Sequence, residues 1–275
     1  MPTLERAHEL AIIRTANWFV LNPEALSLHN FSATQMLHKL FAISPEGKDE
    51  EGRGILVADI ATDQINAIVS FAVANATAQE RTNFYNTMSK EPRLSVSLGK
   101  IFERFVLTWL TSDDEAQLPC TSVDTHSPRL TISACEWKDT QKTCGSLDDL
   151  RNLNTTEKTL PFCFLPSASV DAIIFTDHSI ITIQITNAQS HDTTETVFRD
   201  IKTKLPKNPK RDAKPRTWCH VFITDHEQKA RALRRQPLTG LSEDFHIYSA
   251  VFGIGQFQVK SEHMRRLDEA RVRGS

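Results

Sequence analysis

The stretch SVDAIIFTDHSIITIQIT, residues 169–186, carries one carboxylate near its start, Asp171, and one amide near its end, Gln184. Its Ile- and Thr-rich runs predict two strands, 169–176 and 180–186, joined by a tight turn at DHS. In the first strand Ile173 and Phe175 fall on one face, and Val170, Ala172 and Ile174 on the other. That is the pattern of a strand buried on both sides. An acid there is costly unless it is paired or binds a cation. In the second strand Gln184 and Thr186 alternate with Ile183 and Ile185 and share a face. Asp171 joins that face if the register allows. Oxygen donors on neighbouring strands suit a hard cation such as Mg²⁺ or Mn²⁺. Such a cation would polarise a phosphate and activate a water, and a lysine beside it would stabilise the developing charge. Glu103, within one helical turn of Lys100, is a third oxygen donor. His191 is a candidate acid or base.

Each of these residues also has an ordinary role. Asp171 can accept backbone amides or cap a turn. Gln184 can be a buried amide with its hydrogen bonds satisfied. Glu103 can pair with Lys100 on a helix surface. His191 can stand before a helix whose cap is Asp192 or Thr193, and His178 can lie solvated in the turn.

The elements that would position these groups are read from hydrophobic periodicity. Residues 3–20 form an amphipathic helix ended by Asn22-Pro23. A second helix runs from an N-cap at Ser32 to Ile43, and 44–54 is a polar loop. Residues 55–59 start a strand or a helix. A long helix covers 63–89 and another 95–110. A strand follows at 129–137 and a short apolar piece at 159–166, then the hairpin. A helix covers 193–205, a strand 217–225, a short helix runs to Arg235, and a last strand covers 245–255. This order predicts an α/β protein with a central mixed sheet flanked by helices. It divides into a helical N-terminal region (1–92), an α/β domain (93–256) and a polar tail (257–275).

Composition narrows the function classes. The 275 residues are 40% hydrophobic and 24% charged, ordinary for a globular protein. No apolar run approaches the roughly 20 residues of a membrane span, and the N-terminal helix mixes in charges unlike a signal peptide. Five cysteines without a CxxC pair favour free thiols over a disulfide framework or zinc site. Cys120, Cys135 and Cys144 with His126 have irregular spacing for a metal cluster. These features predict an intracellular protein, cytoplasmic or nuclear, with no membrane partner. The net charge of −2 hides an asymmetry. Residues 111–200 are acid-rich and residues 201–275 are base-rich. Lys202 and Lys204 precede a proline-bearing segment, KNPKRDAKPR, that contains Lys207, Lys210, Arg211, Lys214 and Arg216. Such a segment suits phosphate backbones, a nuclear-import signal or plain solvation.

A Glu-bearing helix, a VDA strand, an IQIT strand, a His and a further helix together resemble the PD-(D/E)XK restriction-endonuclease-like superfamily. The nearest likeness is to the nuclease-like domain of Crinkler and retrotransposon-hot-spot-type proteins. The matching pieces are SLGKIFERFV (97–106), LPSASVDAIIF (165–175), ITIQITNAQSH (181–191) and CHVFITD (219–225), within about 95–255. The resemblance implies a restriction-endonuclease-like core. It puts Asp171 at the metal-binding Asp, Gln184 at the second acid, Thr186 at the lysine and Glu103 at the acid of the first helix. Asp171, Glu103 and Gln184 would hold Mg²⁺ or Mn²⁺, with Lys202 or Lys204 supplying the displaced lysine and His191 assisting. The departures at Gln184 and Thr186 leave two expectations. One is a metal-dependent nuclease, or a degenerate nuclease-like protein that binds DNA or RNA. The other is a dead nuclease-like fold used for protein interaction, with the N-terminal helices as a contact surface.

Overall fold

The computed structural model describes residues 4–26, 40–48, 54–90, 94–112, 115–122, 124, 127–134, 150–151, 163–167, 170–176, 178–188, 195–205, 216–235 and 245–257. The chain divides into two compact units. One spans Met1–Leu107 and takes in the segment beginning at Ile254; the other spans Thr108–Gly253.

The first unit contains α1 (Leu4–Leu21), β1 (Phe41–Lys48), β2 (Gly54–Ile60), α2 (Asp63–Asn75), α3 (Ala78–Met88) and most of α4 (Ser95–Leu110). Phe19 of α1 packs edge-on against Phe41 at 5.6 Å and Phe84 at 5.2 Å. Arg81 is buried in this unit. Its Nε donates to the Ile254 carbonyl (3.2 Å) and its Nη1 to the Ala76 carbonyl (2.7 Å).

Three sequence expectations need correction here. The helix expected to reach Ile43 gives way to strand from Phe41, and the loop expected over 44–54 is strand as far as Lys48. The rest of that helix lies outside the described residues. The cause is pairing beyond the local window: Phe41, Ala42 and Ile43 stand opposite Ile60, Asp59 and Ala58 in an antiparallel hairpin. The single helix expected over 63–89 is two. Thr77 leaves helical geometry, accepts the Glu80 amide and has its own amide capped by the Glu80 carboxylate, so a capping box starts α3 afresh.

The second unit is built on a seven-stranded mixed sheet, as expected for a central sheet with helices. Its strands are β3 (Gln117–Ser122), β4 (Leu130–Ser133), β5 (Cys163–Ser167), β6 (Val170–Phe175), β7 (Ser179–Ile185), β8 (Thr217–Thr224) and β9 (Phe245–Val251), in the order β4-β3-β9-β8-β7-β6-β5. β5, β6 and β7 are antiparallel neighbours; β7, β8 and β9 are parallel. Parallel neighbours need crossover helices, supplied by α5 (Glu195–Lys204) and α6 (Glu227–Arg234). Both crossovers step the same way across the sheet. The right-handed rule therefore sets both helices on one face. β3 escapes the sequence reading because QLPCTS turns only Leu118 fully inward and contains Pro119. Its partners β4 and β9 make it a strand.

Opposed residues assign the sides of the sheet. Ile180, Thr182 and Gln184 of β7 stand beside Trp218, His220 and Phe222 of β8, and these beside Phe245, Ile247 and Ser249 of β9. Phe198 of α5 lies 4.9 Å from the rings of both His220 and Phe245, so this is the helix-covered face. A core of Val170, Ile173, Phe175, Ile180, Phe198, Ile201 and Trp218 forms around it.

Candidate functional site

The hairpin register opposes Ala172 with Ile183, and one further step sets Asp171 opposite Gln184 on the same face. Asp171 is half-buried, whereas Gln184 is only 2% exposed. The Asp171 carboxylate reaches across the hairpin, and its Oδ2 accepts the Ile185 amide at 2.5 Å. That amide lies where β7 ends. Asp171 thus extends the hydrogen bonding of β6 to β7 by a side chain. Thr186 follows, buried, with its amide donating to the Ile223 carbonyl and its hydroxyl accepting the Ala188 amide.

β6 runs against β7, so the start of β6 and the ends of β7, β8 and β9 share one edge, here termed the carboxyl edge. In open α/β sheets ligands commonly settle at such an edge. Thr224 and Asp225 lie there at the end of β8. Lys229 reaches back from α6 to Asp225, with Nζ 2.8 and 3.0 Å from its two oxygens. The Thr224 hydroxyl donates to the same carboxylate at 3.2 Å. The described edge therefore carries Asp171, held by a backbone amide, Asp225, held by an ammonium, and Glu227 in the first turn of α6, paired with Arg231 and Arg234.

Lys202 and Lys204 sit elsewhere. α5 starts after the end of β7 and runs back toward the start of β8. Leu205, just past its end, packs on the cluster of Phe175, Ile180 and Trp218. Those residues mark the opposite, amino edge. Exposed Lys202 and half-buried Lys204 occupy the last turn of α5, and half-buried Arg216 immediately precedes β8. Exposed His178 lies in the β6–β7 turn, its carbonyl accepting the Thr217 amide at this edge. The seven residues of β7 separate the two edges by roughly 20 Å at about 3.3 Å per residue. The structure brings Asp171, Gln184 and Thr186 together and carries Lys202, Lys204 and Arg216 to the other end. Glu103 is half-buried on the part of α4 that belongs to the first unit, while Asp171 and Gln184 belong to the second. His191, Lys207, Lys210, Arg211 and Lys214 lie outside the described residues.

A divalent-cation site needs several oxygen donors, more than one of them anionic. Among the described residues no group of three or more His, Cys, Asp and Glu side chains gathers as a metal would require. Asp171 and Gln184 by themselves contribute one carboxylate and one amide oxygen to such a set.

The chain matches no family model, no curated protein and no solved structure.

Three polar groupings went unread in the sequence. His220 is fully buried in β8, with Nδ1 2.9 Å from the Thr182 hydroxyl, which also donates to the Cys219 carbonyl at 3.2 Å. The imidazole packs edge-on against the rings of Phe198 and Phe222. On β9, His246 Nδ1 lies 3.1 Å from the Ser127 hydroxyl, which donates to Asp124. Tyr248 donates to the Pro128 carbonyl at 2.8 Å. Together they tie Asp124, Ser127 and Pro128 to β9. The third grouping is Asp225 with Lys229, whose i,i+4 spacing was a legible signal. No helix among the described residues is long and apolar enough to cross a membrane.

Proposed function

We propose that this chain is a degenerate nuclease-like protein that binds nucleic acid without cutting it. The observation that carries the reading is the state of Asp171. Its carboxylate is engaged by the Ile185 amide of its own hairpin, and the residue across from it is a buried amide where a second acid would be needed. Lys202 and Lys204, which the resemblance offers in place of Thr186, stand at the far edge of the sheet, and Lys229 at the near edge is paired with Asp225. An acid in this arrangement secures the hairpin and leaves little charge for a cation or a water. The order of elements carrying the resemblance supports the nuclease-like part: the Glu103 helix, the VDA strand, the IQIT strand, a helix and the CHVFITD strand. Seven Lys or Arg residues against one Asp between Lys202 and Arg216 support the nucleic-acid part, since such charges bind phosphate backbones without reading sequence.

The test incubates the full chain with labelled single- and double-stranded DNA and RNA in Mg²⁺, Mn²⁺ or EDTA, beside Asp171→Ala. Salt-sensitive binding with intact substrate in every metal is the expected result. Metal-dependent cleavage that Asp171→Ala abolishes would overturn it in favour of an active nuclease.

A second reading, a protein-interaction module, rests on α1. Leu10, Trp18 and Leu21 are 44%, 37% and 54% exposed. Spacings of eight and eleven residues bring them to one helical face. Absence of all nucleic-acid binding would favour it.

A further inference from the structure

We propose that α1 is a dimerisation helix, pairing antiparallel with α1 of a second copy of this chain along the face that carries Leu10, Arg14, Asn17 and Leu21. The pairing uses the first unit alone and holds whether or not the chain binds nucleic acid.

The face points outward. Leu10, Trp18 and Leu21 are three of the five large hydrophobic residues that stand exposed among the described residues. Arg14 and Asn17 are exposed between them. At 3.6 residues per turn these five side chains fall within an arc of about 100°. Thr15, Ala16, Phe19 and Val20 are buried on the other side, where Phe19 meets Phe41 and Phe84. The helix thus serves its own core with one face and carries a second apolar stripe on the opposite one. Apolar residues gathered on one exposed face, rather than scattered singly, mark an interaction surface.

The occupant follows from spacing and charge. Leu10, Arg14, Asn17 and Leu21 stand at steps of four, three and four, the alternation of a coiled-coil seam. The steps read the same in both directions about a point between Thr15 and Ala16. An antiparallel partner centred there sets Leu10 against Leu21 of the second copy, and Arg14 against Asn17 of the second copy. Each contact occurs twice, as a two-fold interface requires. The Arg14 guanidinium only donates, and the Asn17 amide oxygen accepts from it. Parallel pairing in register would oppose Arg14 to its own copy, a like-charge contact. Charge therefore selects the antiparallel direction. It also favours a second copy over a plain apolar helix, which would cover Arg14 without offering an acceptor. Trp18 borders the seam and widens its apolar area. The stretch from Leu10 to Leu21 is about 18 Å long. So short a seam lies at the small end of interface sizes, and the dimer is accordingly weak and concentration-dependent.

The experiment is sedimentation velocity over a concentration series on the full chain, on Leu10→Lys, on Leu21→Glu, and on an equimolar mixture of the two variants. Both positions are exposed, so the fold should tolerate the changes. The sedimentation coefficient of the wild type should climb with concentration toward that of a dimer. Each variant alone should dimerise at least about tenfold more weakly, because it sets a charge against a leucine. The mixture should regain the dimer, since the introduced ammonium then faces the introduced carboxylate while the remaining leucines still meet. Should either variant fail to fold by circular dichroism, Asn17→Arg, which opposes like charges at both central contacts, should abolish association instead. A wild type that stays monomeric throughout, a dimer indifferent to these changes, or variants that weaken it singly and do not recover on mixing would each overturn the antiparallel pairing.

Discussion

Asp171 and Ile185 are joined across the hairpin, the carboxylate of one accepting the backbone amide of the other. This contact sits at the end of β7, beside the Thr186 amide that donates to the Ile223 carbonyl of β8. A backbone amide at a strand end otherwise waits for water or a neighbouring strand.

Asp171 should therefore register in stability. Replacement by Ala should cost about 1–3 kcal/mol, the range for stranding a buried polar partner. Asp171→Asn keeps an acceptor and should cost clearly less. Urea denaturation followed by far-UV circular dichroism measures both. Equal losses for the two would mean that the charge, and not the acceptor, matters.

The Thr182–His220 contact predicts a coupled pair. Thr182→Val preserves shape but leaves the fully buried imidazole without the oxygen 2.9 Å from its Nδ1. It should destabilise by about 1–3 kcal/mol. His220→Phe in the same chain should recover much of that loss, because replacing both partners with apolar groups of similar shape is far cheaper than removing one. A double-mutant cycle reads the coupling directly, and additive losses would argue against it.

In the first unit, the segment after β9 is held to α3 by a close backbone approach. A Cβ on Gly255 would collide with the Thr82 hydroxyl and lie 3.0 Å from the Ala78 carbonyl. Gly255→Ala should cost about 1–3 kcal/mol through overpacking. Arg81→Ala, which removes donors to the Ile254 and Ala76 carbonyls, should cost about 2 kcal/mol or more, since hydrogen bonds from a charged group are the stronger ones. Thermal melts of both variants supply the check; a Gly255→Ala protein as stable as wild type would contradict the close approach.

Two cysteines predict alkaline behaviour. Burial pushes the Cys120 thiol up to about 12 and the Cys219 thiol up to about 11, from a reference of 9.0. The unfolded chain thus releases these protons first as pH rises. Their contribution to stability is present in full below about pH 9 and is lost progressively as pH climbs toward 11 and 12. The denaturation midpoint should fall between pH 8 and pH 10.5, less steeply in Cys120→Ala and Cys219→Ala proteins. At pH 8 the peptides bearing these thiols should resist iodoacetamide until denaturant is added, because the thiolate is the reactive form. Rapid labelling of Cys219, the buried one of the two, in the native protein, read by mass spectrometry, would contradict its burial.

The sequence by itself determined the pieces whose pattern is local. The hairpin at 169–186, the helix ending in Lys204, the strand 217–224 and the α6 helix were legible because alternation, helical periodicity and i,i+4 charge pairs are written within a few residues. The α/β class and the mixed sheet followed from their order. Only the tertiary structure decided the rest. β1 is a strand because the next segment, β2, folds back on it, and β3 because β4 and the distant β9 pair with it, against a helical or unpatterned local sequence. The register of β6 on β7 set Asp171 opposite Gln184, and the end of β7 supplied the amide that occupies the carboxylate. The direction of α5 carried Lys202 away from Asp171, since a helix between two parallel strands must return the chain to the edge from which the first strand began. Residues close in sequence to a candidate acid were thereby delivered to the opposite end of the sheet, a consequence of chain direction that residue types and spacing do not encode.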